Sequence, residues 1–366
     1  AMPPGNLVFL IDVSGSMADA NKLPLLKTAF KMLVKQLRPE DTVTMVVYAG
    51  AAGVALEPTP GNEKQKILAA IDSLEAGGST AGGEGLKLAY KLAGEQFKPG
   101  GNNRVILATD GDFNVGITSE GELTRLIEER RNEGIFLSVL GFGMGNIKDN
   151  KMELLADKGN GNYAYIDNAL EAKKVMIEQM AGTLYTIAKD VKLQVEFNPA
   201  QVKYYRLIGY ENRVLENRDF NDDKKDAGEM GAGHAVTAFY EIIPAGSAET
   251  AGATDPLRYQ QSVVIPSDDL LQVKIRYKKP GEENSRLFSQ RLNSKEAAGA
   301  PSENFRFAAS VAEYALLLRD SEFKGQASYR HVLEAARSVQ GPDAEGYRAE
   351  FIRLVEISRL LDDRYE

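Results

Sequence analysis

The sequence predicts an α/β fold: a doubly wound, mostly parallel sheet, followed by a β-rich module and a small C-terminal helical segment. Three observations carry this. Short β-rich runs alternate with amphipathic helical patterns as far as about Ala188. Two of those runs, Leu7-Val8-Phe9-Leu10-Ile11 and Val105-Ile106-Leu107-Ala108, are apolar at every position, as strands buried on both faces are. Beyond Ala188 the apolar period falls to two, the period of half-buried strands.

In order, the first half offers strands at Asn6 to Val13, Thr42 to Tyr48, Arg104 to Thr109, Ile135 to Phe142 and Asn162 to Ile166, with a weaker one at Val54 to Leu56. Helical patterns fall between them at Lys22 to Leu37, Glu63 to Leu74, Glu84 to Gln96, Glu120 to Asn132, Lys151 to Asp157 and Ala169 to Ala188. Such βα alternation covers a parallel sheet with helices on both faces. The second half offers strands at Val191 to Phe197, Val202 to Leu207, Ala235 to Ile243, Tyr259 to Val264 and Leu271 to Tyr277, joined by turn-rich charged segments. From Ser302 three helical patterns follow, carried by Phe305, Ala309, Ala312 and Leu316, then Tyr329, Leu333 and Ala336, then Tyr347, Phe351, Leu354 and Val355. With 366 residues the chain divides into two expected domains, 1–188 and 189–366, each large enough for its own core.

Composition narrows the function. The formal net charge is −8 and no block of Lys and Arg stands out, which disfavours nucleic acid and anionic membrane surfaces as partners. Cys is absent, so disulfides, zinc–thiolate sites and thiol nucleophiles are excluded. The longest apolar runs are strand-sized, so no transmembrane segment is expected in this sequence. The chain opens Ala1-Met2-Pro3-Pro4 and enters a strand almost at once, which suggests that an upstream part, with any targeting signal, precedes it.

Ligands of doubly wound sheets bind beyond the carboxyl ends of the strands, where strand order switches. The two apolar strands end at Asp12 and Asp110. Asp12-Val13-Ser14-Gly15-Ser16 places one carboxylate and two hydroxyls at alternating positions, with Gly15 expected to allow a tight bend. Gly77-Gly78-Ser79-Thr80-Ala81-Gly82-Gly83 offers a further hydroxyl ahead of a helix, and Thr109-Asp110-Gly111-Asp112 closes the second strand. Oxygen-rich sets of this kind suit a hard cation such as Mg²⁺. Taken singly, each motif has a plainer reading, because Asp and Ser cap helices and Asp-Gly makes turns.

Together, in this order, the three motifs resemble the metal-ion-dependent adhesion site of von Willebrand factor A domains, over about residues 6 to 186. The resemblance implies a Rossmann-like fold with five metal-site residues: Asp12, Ser14, Ser16, Thr80 and Asp110. It implies a Mg²⁺ cofactor, with Mn²⁺ or Ca²⁺ as substitutes, and direct binding by the hydroxyls while one or both carboxylates act through water. The open coordination position would take a Glu or Asp carboxylate of a protein partner, as an adhesion or scaffolding module does. The segment Ala108 to Gly116 and the tail also resemble bacterial envelope proteins of the YfbK type. That resemblance implies an extracytoplasmic location, in the periplasm or at the surface, with a lipid anchor on an upstream segment. Many A domains shift their last helix when the metal gains a carboxylate, so the helix expected to end at Ala188 could couple site and tail.

Other signals are weaker. Asp110-x-Asp112-x-Asn114 lacks the Gly and Glu of a calcium loop at the required positions. Gly141-Phe142-Gly143-Met144-Gly145 is not a dinucleotide fingerprint and reads as a turn near the metal face. His234 and His331 are the only histidines, and neither adjoins the metal motifs in sequence, so catalytic and nucleotide-cofactor roles find no support. A Mg²⁺-dependent hydrolase would have to use Asp112 as its base; a subunit of an ATPase-linked envelope complex would differ from an adhesin in its partner.

Overall fold

The computed structural model describes residues 3–78, 82–111, 120–143, 149–179, 186–210, 214–225, 227–249, 264–265, 267–296 and 299–362. The central sheet has six strands in the order β3-β2-β1-β4-β5-β6. These are β1 Gly5–Asp12, β2 Thr42–Tyr48, β3 Ala52–Pro60, β4 Asn102–Thr109, β5 Ile135–Phe142 and β6 Tyr163–Ile166. β1 pairs in parallel with β2 and β4, β4 with β5, and β5 with β6; β3 alone runs antiparallel, against β2. The order turns at β1 and β4, so the switch point falls between the strands that end at Asp12 and Thr109.

Every residue of β1 and β4 is buried, and alternation sends successive side chains to opposite faces. Leu7, Phe9 and Ile11 pack with helix α1 (Leu23–Gln36) and helix α2 (Lys64–Asp72), and the Phe9 and Phe30 rings lie 4.5 Å apart. Val8 and Leu10 pack with α3 (Gly82–Glu95) and α4 (Glu120–Asn132) on the other face, together with α5 (Asp149–Lys158). The continuous apolar runs therefore serve two cores at once. α3 comes close because Gly85 has no side chain: a Cβ there would sit 3.0 Å from Leu10 Cδ1 and from Tyr48 Cβ.

One expected helix is corrected. From Ala169 the chain is helical as α6 (Ala169–Lys173) and then a π-helical stretch over Lys174–Gln179, but residues 186–188 open strand β7 (Thr186–Phe197). Thr186 and Ile187 are β-branched and prefer the extended backbone. Any coupling drawn from a helix running to Ala188 loses that basis.

The remaining strands are β8 Val202–Ile208, β9 Gly228–Gly231, β10 Phe239–Pro244, β11 Asp269–Lys278 and β12 Arg286–Asn293. β8 and β10 form an antiparallel pair, and a four-stranded sheet runs β12-β11-β7-β9. The strand expected from Ala235 starts only at Phe239. Residues 259–263 lie outside the described residues, and Val264 is not in a strand. β9 and β12 carry no sequence signal: β9 is four residues flanked by glycines, and β12 is exposed at its first six positions, so neither shows an apolar face. The three C-terminal helices, α7 Glu303–Leu318, α8 Tyr329–Ser338 and α9 Tyr347–Leu361, share a core of Leu317, Tyr329, Val332, Leu333, Ala336, Ile352 and Val355.

The chain forms two compact units. One comprises Ala1–Lys192, Asp222–Ala235 and Arg276–Arg286; the other comprises Leu193–Asn221, Val236–Ile275 and Leu287–Glu366.

Candidate metal centre

Strand register builds the floor of the site. In the β1–β2 pair Asp12 lies beside Tyr48, and in the β1–β4 pair Ile11 lies beside Ala108, which brings Thr109 level with Asp12. Two hydroxyls thus flank one buried carboxylate: Tyr48 Oη donates to Asp12 Oδ2 at 3.2 Å and Thr109 Oγ1 at 3.1 Å. The Ser14 amide donates to Asp12 Oδ1 at 2.9 Å. Burial pushes the Asp12 carboxyl above the ordinary Asp value; the Ser14 and Thr109 bonds work against that, and the neighbouring Asp110 charge adds to it. A divalent cation nearby would supply the opposite charge that burial makes desirable.

Ser14 stands at the start of a short 3₁₀ turn (Gly15–Ala18), yet its side chain caps nothing. The Ser14 hydroxyl instead lies 3.1 Å from the Ser16 hydroxyl. The plain helix-capping reading of this motif therefore does not describe the structure. Ser14 is buried while Ser16 is exposed, so the pair runs from the floor to the solvent. Gly15 opens the 3₁₀ turn, the tight bend expected of it, without a left-handed backbone. Its amide donates to Gly78 O at 3.1 Å, and a Cβ would lie at ordinary contact distance, 3.6 Å, from that oxygen.

Backbone bonds also bring the second motif to the first. Gly77 donates to Val13 O at 2.7 Å, and Gly78 takes a left-handed φ of 85°. Thr80, the fifth expected ligand, lies outside the described residues, as do Asp112 and the rest of 112–119. On the third motif, Gly111 has a left-handed φ of 93° and donates to Thr109 Oγ1 at 3.2 Å. Asp110 is buried, and Lys22 Nζ reaches its Oδ2 at 2.9 Å while also donating to Ser16 O at 2.9 Å.

The structure thus gathers Asp12, Ser14, Ser16 and Asp110 at the carboxyl ends of β1 and β4. The donor chemistry, two carboxylates and two hydroxyls, fits a hard cation. Among the described residues no three His, Asp or Glu side chains converge as a metal cluster. Sequence patterning does not single out Tyr48 or Lys22. Tyr48 follows from register, and the available signal for Lys22 was a charge buried at the mouth of an otherwise apolar helix start, Leu23-Pro24-Leu25.

The two histidines have other surroundings. His331 Nδ1 is 2.8 Å from Glu313 Oε2 on the C-terminal helices, and the His234 side chain is exposed. Tyr205 of β8 stacks on Phe197 at 4.6 Å and is 59% exposed.

Residues 6–179 match the von Willebrand factor type A domain family, and the mostly parallel sheet with its flanking helices is the fold of that family. Residues 182–361 match the family described as "Uncharacterized protein YfbK, C-terminal". The chain carries both matches, and it is 45% identical over 366 residues to "Uncharacterized protein YfbK" of Escherichia coli (strain K12), an alignment that covers 99% of this chain and 63% of that protein. Human inter-alpha-trypsin inhibitor heavy chain H3 is 31% identical over 259 residues, 65% of this chain and 28% of its own. The chain therefore spans less than two thirds of the length of these relatives. Among solved structures, a von Willebrand factor type A protein from Catenulispora acidiphila covers 94% of this chain and 82% of its own, with 17% identity and a TM-score of 0.49. Domains of this family commonly mediate protein–protein interaction and commonly bind a divalent metal.

Proposed function

We propose that this chain is a non-enzymatic binding module that holds one Mg²⁺ at Asp12, Ser14, Ser16, Thr80 and Asp110, and through it grips a Glu or Asp carboxylate of a protein partner. The observation that carries this is the Ser14–Ser16 hydroxyl pair, 3.1 Å apart and uncommitted to capping, in the loop that follows the buried Asp12. Bound there, the cation supplies a Lewis-acidic position open to an anionic oxygen. The chain does the rest: Tyr48, Thr109 and the Ser14 amide fix the Asp12 carboxylate, and the Gly77 and Gly78 bonds dock the second loop on the first. Mn²⁺ or Ca²⁺ would substitute with altered affinity.

The further reading is of an adhesion or scaffolding role in the bacterial envelope, outside the cytoplasm, with anchoring by a segment outside this sequence. The likeness to YfbK supports the architecture on which this rests. No helix among the described residues is long and apolar enough to cross a membrane.

Calorimetric titration with MgCl₂ tests the site. The native chain binds, and Asp12→Ala and Ser14→Ala weaken binding at least about tenfold, the size expected when a ligand or its direct support is lost. Mg²⁺ affinity unchanged in both variants would sink the assignment.

A further inference from the structure

Lys22 is buried with its ammonium against a carboxylate of the candidate metal site, an arrangement that the five-ligand reading does not require. Its Nζ lies 2.9 Å from Asp110 Oδ2, 2.9 Å from Ser16 O and 3.8 Å from Asp19 Oδ2. The lysine side chain is 7% exposed and the Asp110 side chain 0%. The fold makes room for this: Gly143, with a left-handed φ of 89°, closes β5 directly on the lysine stem. A Cβ at Gly143 would fall 2.6 Å from Lys22 Cε and 2.7 Å from Lys22 Cγ. The stem is therefore held in a slot, and a buried charge so held is not a free surface lysine.

We propose that Lys22 is a built-in cation of this site: it holds Asp110 in the metal-free chain and sets the charge against which a divalent ion must bind. This rests on the metal reading above. Two carboxylates, Asp12 and Asp110, balance a dication; the lysine then leaves the loaded site with a unit of positive charge. That surplus opposes metal binding and favours an anionic group over a neutral one at the open position. Lysine also orients Asp110, and an orienting partner is worth roughly 10- to 100-fold in metal affinity. Repulsion between a unit charge and a dication sharing one carboxylate in a partly dry site is the larger effect. Removing the lysine charge should therefore tighten metal binding.

The experiment compares the native chain with Lys22→Met, Lys22→Arg and Gly143→Ala, by titration with MgCl₂ alone and by melting with chelator and with Mg²⁺. Lys22→Met keeps the stem and removes the charge: its metal-free form melts below the native chain, Mg²⁺ raises its melting temperature by more, and its Mg²⁺ affinity rises on the order of tenfold. Lys22→Arg keeps the charge and stays within about threefold of native affinity. Gly143→Ala is the independent arm, because the added methyl displaces the stem without removing the lysine; Mg²⁺ affinity again rises. A purely structural lysine lowers the melting temperature with and without Mg²⁺ alike. Affinity unchanged or weakened in both Lys22→Met and Gly143→Ala overturns the proposal while leaving the metal site standing, whereas no Mg²⁺ binding by the native chain overturns the metal reading and this inference with it.

Discussion

Tyr48 closes β2 one register position beside Asp12, and its hydroxyl donates to Asp12 Oδ2 across the strand pair at 3.2 Å. Neither side chain reaches solvent. Burial, followed by the neighbouring Asp12 charge, pushes the Tyr48 phenol well above its ordinary value, so it stays a donor at any working pH.

Tyr48→Phe removes one of the bonds that orient Asp12 and keeps the ring. Thermal stability should fall by about 1–3 kcal/mol, the cost of leaving a buried carboxylate one donor short. Mg²⁺ affinity should fall by up to about tenfold, as for other outer partners of metal ligands. Calorimetry on the variant checks both the direction and the size.

Asp41 sits at the opposite end of β1 and ties three segments together. It accepts from the Gly5 amide at 2.8 Å, from the Arg38 amide at 2.8 Å and from the Arg38 guanidinium at 2.8 and 3.2 Å. Burial alone would raise its carboxyl, but the Arg38 side chain, then the Arg38 and Gly5 amides, hold it below the ordinary value. A carboxyl lowered in the folded state stabilises the fold fully above its unfolded pKa, about 4, and loses that contribution as pH falls toward the folded value. Asp41→Asn should therefore cost about 1–3 kcal/mol at pH 7. The gap from the native chain should close below about pH 4, measured by denaturant melts across pH.

Gly161 passes over β5 so closely that a Cβ would lie 1.8 Å from Leu137 O and 2.4 Å from its carbonyl carbon. Backbone cannot yield as a flexible side chain does. Gly161→Ala should lower stability by about 3 kcal/mol or more, at the upper end of overpacking costs, and soluble yield and melting temperature report it. Gly94→Ala, with open space around the added methyl, is the control and should not destabilise.

Two serines cap helices of the C-terminal tail: Ser302 Oγ accepts from the Phe305 amide at 3.1 Å and Ser328 Oγ from the His331 amide at 3.2 Å. Ser302→Ala and Ser328→Ala should each cost about 1 kcal/mol. Thermal melts followed by helical circular dichroism would show it, and Ser328→Asp should recover most of the loss.

The place of the site was legible in sequence because Leu7 to Ile11 and Val105 to Ala108 have no polar position. Only strands buried on both faces tolerate that, and their ends mark the switch point. The grouping of Asp12, Ser14, Ser16 and Asp110 followed from the resemblance of their motifs to the von Willebrand factor A metal site. What patterning did not reveal depends on pairing across the chain. Tyr48 reads as a packing residue until register sets it beside Asp12, and Lys22 reads as the solvated start of a helix until Gly143 closes over it. The same limit explains β12: Arg286–Asn293 is a strand because β11 offers it backbone partners, not because its side chains have an inward face. At Thr186 the opposite error arose, an apolar spacing compatible with helix overruled by β-branched residues and sheet pairing.

The first compact unit is drawn from three stretches of chain, ending with Arg276–Arg286. During synthesis the strands that end at Asp12 and Thr109 emerge early, while the last stretch of the same unit emerges only after two long excursions. Closing such loops costs little stability, since the entropic penalty grows slowly with length, but it delays completion. The nascent chain must hold a partly finished unit until residue 286 is available, and a chain released short of Arg276 lacks a stretch from which that unit is built.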